Sequence, residues 1–263
     1  MTKFWTISLT AFALFALFSC SEDKDTTKNT ETELFPMKIG SYWVYDAKEF
    51  DAEGKETGAS TDSMAISRTT TKLDKECFEF KTYVDGQHDG DFYQYKVGAQ
   101  LFTLLESILP EDNAIGLPFG EIEDQWVIIA DLNASQWNIY ELDLNGFDID
   151  YGGIGGKLNG TFKMVGKKGN KVILDNIMGA SHTAQEFVIE NIITGKFSIT
   201  SLPFPITVDV DSKIIARSYY VDGIGLIKSS AEPTTIDLVI PGIGLQKLPV
   251  PGNQGILLRT NVK

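Results

Sequence analysis

The chain has 263 residues, 43% of them hydrophobic and 22% charged, an ordinary globular composition with length enough for one or two domains. Its formal net charge is −13; so acidic a chain is repelled by nucleic acid and anionic lipid, which excludes DNA or RNA as a partner. Two cysteines, Cys20 and Cys77, are too few for a disulfide framework.

Residues 1–19 read as a lipoprotein signal peptide. Lys3 supplies a short positive region, and Phe4–Phe18 is about as long as one apolar signal core, too short to span a bilayer comfortably. No later segment comes near 18 consecutive apolar residues. Leu17-Phe18-Ser19-Cys20 reads as a lipobox, with cleavage before Cys20 and lipidation of its thiol by diacylglycerol, plus an N-acyl chain such as palmitate. Each buried CH₂ contributes roughly 0.8 kcal/mol, and two or more chains hold a protein stably on a membrane. Lipidation of Cys20 leaves Cys77 without an intramolecular partner. Glu76 and Glu79 raise the pKa of that thiol rather than activate it, so a buried structural cysteine is expected.

Residues 20–33 are expected to form a lipidated, disordered tether, because Ser21–Glu33 contains no aliphatic residue. Its acidic start, Ser21–Asp25, resembles the export signal of surface lipoproteins in Bacteroidetes-type bacteria. That resemblance implies an outer-membrane, cell-surface location; the other reading faces the periplasm.

Residues 34–263 read as a single β domain. Ser41–Tyr45, Met64–Leu73, Cys77–Val84 and Phe92–Val97 are expected strands, with Trp43 and Tyr45 on one face. Asp51–Asp62 and Asp85–Asp91 are expected loops. Leu101–Ile108 fits a short helix or a strand entering a helical turn, and Trp126–Ala130 fits a strand. Asn145-Gly146 predicts a two-residue hairpin turn that pairs Leu144 with Phe147, Leu142 with Ile149 and Tyr140 with Tyr151. Asn159-Gly160 and Gly169-Asn170 predict further turns. Strands are then expected at 171–174, 183–190, 195–200, 206–210, 213–220, 224–228, 236–240 and 256–261, with Pro241–Gly252 a loop. Short strands and frequent turns predict an all-β fold, an antiparallel and strongly curved sheet forming an open or half barrel, with at most one short helix.

Chemical motifs are sparse. The predicted hairpin gathers Glu141, Asp143, Asp148 and Asp150 on one face, where like charges repel unless neutralised. Glu141-x-Asp143-x-Asn145-Gly146 resembles the start of a Ca²⁺-binding EF-hand loop, but Gly152 stands where the bidentate acid belongs. The bland reading is a solvated acidic face balanced by Lys157 or Lys163, and it is preferred: no metal and no cofactor are expected. Gly152–Lys157 fails as a phosphate loop, since Tyr151 stands where glycine is needed and Leu158 where Ser or Thr is needed. His88 and His182 sit in expected turns without zinc spacing. Ser181 precedes His182, but no G-x-S-x-G elbow occurs.

Two segments, Phe35–Tyr45 (FPMKIGSYWVY) and Tyr219–Lys228 (YYVDGIGLIK), resemble a group of bacterial lipoproteins in which such motifs bracket a β domain. The resemblance implies a strongly curved antiparallel sheet, like the unclosed barrel of Lol-type carriers, and no catalytic residue. In the residues themselves, Gly40 and Gly223 suit tight turns and Trp43 anchors the first strand. The expected function is a non-enzymatic, lipid-anchored binding protein of the envelope. Its partners are the membrane, through Cys20, and a hydrophobic ligand, a glycan or an envelope protein; its ligand-binding residues are not identified. The alternatives are a structural or assembly accessory of the outer membrane and a hydrolase of surface polymers, whose paired carboxylates sequence does not locate.

Overall fold

The computed structural model of the chain describes residues 33–108, 123–151, 154–200 and 206–263. The lipobox, the tether as far as residue 32 and Gly152-Gly153 lie outside the described residues.

The described chain is almost entirely antiparallel β-structure. The strands are β1 (Tyr42–Phe50), β2 (Glu56–Lys72), β3 (Lys75–Val84), β4 (Gln87–Val97), β5 (Gln100–Leu104), β6 (Trp126–Asp131) and β7 (Gln136–Tyr151). They continue with β8 (Ile154–Ile177), β9 (Ala180–Ile199), β10 (Ile206–Val221), β11 (Gly225–Ala231), β12 (Thr234–Ile240), β13 (Gly244–Val250) and β14 (Gly252–Asn261). Helix among the described residues is limited to one 3₁₀ turn, Leu105–Ser107, which follows β5 directly. The segment 101–108 is therefore a strand entering a helical turn.

Twelve strands form one sheet in the order β6-β5-β4-β3-β2-β1-β14-β11-β10-β9-β8-β7. The two halves of the meander meet where β14, at the end of the chain, slots between β1 and β11. The sheet curves until its two edges approach. They meet through side chains: the Trp137 indole N–H on β7 donates to the Ile128 carbonyl on β6 at 2.7 Å, and Lys168 Nζ donates to the Leu132 carbonyl at 2.6 Å. Gly166 makes room for that indole, since a Cβ there would lie 2.1 Å from a ring atom.

The hairpin β12–β13 is a second layer over β10. Its alternation is regular: Ile236, Leu238, Ile240, Leu248 and Val250 are buried against Leu158, Phe162, Phe197 and Val210 of the large sheet. Pro241–Gly252 is thus largely a strand rather than a loop. Pro249 is tolerated because β13 pairs only with β12 and needs no second ladder. A separate apolar cluster, built on Trp43, Ile66, Phe80, Leu101, Phe187 and Leu257, lies on the concave face over β1–β5.

The largest correction concerns turns. Asn145-Gly146 does not reverse the chain. It is a bulge inside the 16-residue strand β7, with Gly146 at φ +71° and the register shifting between Asn145 and Phe147. Leu144 pairs with Gly160, Phe147 with Leu158 and Ile149 with Gly156, so none of the three expected cross-turn pairs forms. Asn159-Gly160 is likewise mid-strand, and its glycine serves close approach: a Cβ at 160 would meet the Thr194 carbonyl oxygen at 2.1 Å. Gly169-Asn170 sits at an irregularity of β8. The strands expected at 171–174, 183–190 and 195–200 are parts of β8 and β9. Long strands in a strongly coiled sheet bend at bulges, and these take the same residues that turns take. Two-residue turns with both central residues at positive φ do occur, at Leu73-Asp74, Asp85-Gly86 and Met178-Gly179. Accordingly β2 begins at Glu56, inside the expected loop Asp51–Asp62. His88 lies in β4 and His182 in β9 rather than in turns. Gly40 and Gly223 do occupy tight turns, at φ +81° and +71°.

Candidate ligand-binding site

Several residues marked by the sequence are placed where they explain little beyond folding. Cys77 is a free, buried thiol, 1% exposed, whose Sγ–H donates to the Thr70 carbonyl at 3.5 Å. Burial is the main cause that pushes its pKa up, with Glu79 and Glu76 adding to it. Glu79 is itself 2% exposed and is held by Arg68 and the Ser67 hydroxyl at 2.7 Å each. His88 pairs with Asp91 at 2.8 Å, and His182 contacts the Ile177 carbonyl at 3.1 Å.

The acidic residues of β7 are spread along one strand instead of folded onto each other, so the expected oppositions of Asp143 with Asp148 and Glu141 with Asp150 do not arise. Their cross-strand neighbours on β8 are Lys163 for Glu141, Thr161 for Asp143 and Lys157 for Asp148. Glu141–Lys163 and Asp148–Lys157 are ion pairs of 2.9 and 2.8 Å. No group of three or more potential metal-ligating side chains occurs among the described residues. Because β7 is an edge strand, charges and a bulge there also discourage pairing with a foreign strand.

The concave face over β1–β5 is different. Leu34–Met37 has no regular structure, yet Leu34, Phe35 and Met37 are buried within it. The segment is held at its start by Glu33, whose backbone N–H donates to the Asp222 carboxylate and whose carbonyl accepts from Gly223 N–H at 3.0 Å. Lys96 reaches both the Glu33 carboxylate, at 2.7 Å, and the Phe35 carbonyl, at 3.3 Å. The hydrogen bond from Lys96 is the main reason that the Glu33 carboxyl titrates below the ordinary range.

Between this segment and the sheet lies an apolar cleft of about 100 Å³, lined by Phe35, Trp43, Met64, Phe92, Leu101 and Tyr220 among others. Its walls are fixed by aromatic contacts. Phe80 stacks on Phe92 at 4.7 Å, and Phe35 meets Tyr220 edge-on at 5.1 Å. The Trp43 indole N–H donates to the Ile224 carbonyl at 2.6 Å, so the polar edge of that ring is satisfied and its apolar body faces the cleft. Burial pushes the Tyr220 hydroxyl up to about 12, so it stays protonated and neutral at physiological pH.

Farther along the same strands runs a polar trough of about 300 Å³. Ser229, Gly255, Ala47 and Ser60 stand opposite one another in register on β11, β14, β1 and β2 and make a floor of small residues. Glu49, Asp62 and Asn253 rise around it, and Lys48 and Gln254 on the adjoining positions border it. Tyr45 borders the trough and donates its hydroxyl to the Leu226 carbonyl at 3.0 Å. Leu226 lines both the cleft and the trough.

Sequence alternation correctly placed Trp43 and Tyr45 on one face. No local pattern marks Met64, Phe92, Leu101 and Tyr220, or the trough, because cross-strand register joins them. The one available signal was the pair of segments 35–45 and 219–228, which together supply much of the cleft wall.

No protein-family model matches the chain, and no curated protein matches it. Two solved structures are similar. One is a proposed lipoprotein from Parabacteroides distasonis, 13% identical, with a TM-score of 0.42, covering 87% of this chain and 98% of its own. The other is a proposed exported protein with YmcC-like fold from Bacteroides fragilis, 10% identical, with a TM-score of 0.41, covering 86% of this chain and 98% of its own.

Proposed function

We propose that the chain is a lipid-anchored, extracytoplasmic binding protein of the bacterial envelope that holds an apolar group in the cleft beside Trp43. The observation that carries this reading is the cleft itself: an apolar recess left open on a concave sheet face, walled by Phe35, Trp43, Phe92 and Tyr220. Size limits the occupant. Ligand pockets for drug-sized molecules run to about 300–1,000 Å³, and a water takes about 30 Å³ of liquid volume. A cleft of about 100 Å³ therefore takes the end of an acyl chain or a single apolar side chain, and does not engulf a whole lipid. The anchor belongs to the same reading: the lipobox at Cys20 keeps the domain at a membrane, and the acidic start of the tether favours the outer surface of the outer membrane over a periplasmic face. The role is binding and involves no catalysis.

A second reading has its own observation. The concave face over β8–β10 is filled by β12–β13, and a filled face suits a structural or assembly accessory. Native mass spectrometry of the purified domain separates the two. A co-purified apolar ligand supports the binding role, and its repeated absence across preparations counts against it.

A further inference from the structure

The cleft and the trough are neighbours on one face of one sheet. On β1, Trp43 lines the cleft, while Tyr45, Ala47 and Glu49, at successive same-face positions, line the trough. On β2, Met64 lines the cleft and Asp62 the trough, and the register sets Trp43 opposite Met64 and Tyr45 opposite Asp62. Same-face residues of a strand lie roughly 7 Å apart. The change from apolar to polar lining thus happens across a single step of the sheet, with Leu226 shared by both.

We propose that cleft and trough form one amphiphilic site whose ligand is an amphiphile with an uncharged polyhydroxylated head, the alkyl end entering the cleft and the head lying in the trough. The inference rests on the cleft reading above and adds the class of head group. Three observations select it. The trough, at about 300 Å³ against about 100 Å³ for the cleft, has room for a head group bulkier than the buried alkyl end. Its groups both donate and accept: the Asn253 amide and the Ser229 hydroxyl, on the same face as Ala47 and Glu49, make no hydrogen bond among the described residues and are free to bind a polyol. Its charge is wrong for an anion. Glu49 and Asp62 border the trough, and Lys48, the cation among its lining residues, is already paired with Glu56 at 2.7 Å. A phosphate or carboxylate head would meet two carboxylates on a chain of net charge −13. An extended peptide fits less well, because the strands under the trough spend their backbone groups on one another and leave no edge to pair with.

The test is isothermal titration of the chain lacking residues 1–20. Both apolar clusters are built from residue 34 onward, so this chain contains the whole folded unit. The probes, below their micellar concentrations, are 1-decanol, decyl maltoside, decyl phosphate and maltose. The expected result is decyl maltoside binding at least tenfold tighter than 1-decanol, with decyl phosphate weaker than both and maltose barely detected. The double variant Asn253→Ala/Ser229→Ala should bring decyl maltoside to within twofold of 1-decanol and leave 1-decanol unchanged. Met64→Trp, which fills the cleft, should weaken both at least tenfold. Equal affinity for 1-decanol and decyl maltoside, with the double variant inert, overturns the amphiphile inference and leaves the cleft reading standing. No binding by any alkyl probe overturns both.

Discussion

Trp43 and Ile224 stand 181 residues apart in the chain, and the indole N–H of the first donates to the carbonyl of the second at 2.6 Å. Two strand positions farther on, the Tyr45 hydroxyl repeats the connection to the Leu226 carbonyl at 3.0 Å. Both bonds tie β1 to the turn and strand at the start of β11, across the intervening β14. Segments 35–45 and 219–228 are therefore in direct contact, and the apolar cleft opens at that contact.

Trp43→Phe keeps the apolar body of the ring but leaves the Ile224 carbonyl without its donor. Leaving this partly buried acceptor without its donor costs about 1 kcal/mol. Trp43→Ala also loses the packing, a cost of about 3–5 kcal/mol. Urea unfolding should rank wild type above Trp43→Phe above Trp43→Ala. A Trp43→Phe protein as stable as wild type would mean that the bond to Ile224 contributes nothing.

The seam between β6 and β7 rests on Trp137. Gly166→Ala drives a methyl into the indole and should destabilise the protein by about 1–3 kcal/mol. Hydrogen exchange should then quicken in β6 and the first residues of β7 before it changes in β1 or β14, since the seam has no backbone ladder to hold it. Uniform quickening over all strands would contradict a locally held seam.

The Arg68 guanidinium, and after it the Ser67 hydroxyl, hold the Glu79 carboxyl below its ordinary value of 4.5. A carboxyl whose pKa is lower folded than unfolded contributes stability that is fully present above the ordinary value. That contribution is lost as pH falls through the lowered folded pKa. Glu79→Gln should thus cost about 1 kcal/mol at pH 7, because Arg68 is largely exposed. The difference from wild type should shrink as pH falls below 4.5. Urea midpoints across this range check it; a difference that grows toward acid would reverse the assignment.

Much of the architecture was legible in the sequence, and the reason is period. Alternation along Trp43–Tyr45 gives strand and face, Ile236–Ile240 reads as a strand, and short apolar segments between frequent turn signals give the all-β class. Turn chemistry misled. Asn145-Gly146 has the composition of a hairpin turn, but a 24-residue partner strand, β8, makes a bulge there more favourable than a reversal. Pro249 and the surrounding glycines hid β13 for a similar reason, since proline is excluded only from strands paired on both sides. The site was illegible because it is made by register: Tyr45 meets Asp62, and Ala47 meets Gly255, through pairings that no local pattern encodes.

The anchor gives a cellular prediction. Cys20→Ala should release the protein from membranes or leave its precursor uncleaved, as read by fractionation. A processed Cys20→Ala protein that stays on the membrane would remove the lipobox from the account. Neutral replacements across Ser21–Asp25 should reduce protease accessibility on intact cells, and unchanged accessibility would remove the export signal.

The most direct test of the cleft uses its own methionines. The chain has five, of which Met37 and Met64 line the cleft, Met164 lies in the other apolar cluster, Met178 is exposed and Met1 is absent from the chain lacking residues 1–20. With methionine methyls labelled by ¹³C, titration of the chain lacking residues 1–20 with 1-decanol should shift Met37 and Met64 and leave Met164 and Met178 in place. Unmoved Met37 and Met64 signals at saturating 1-decanol, or shifts confined to Met164 or Met178, would contradict the claim that this cleft is the binding site.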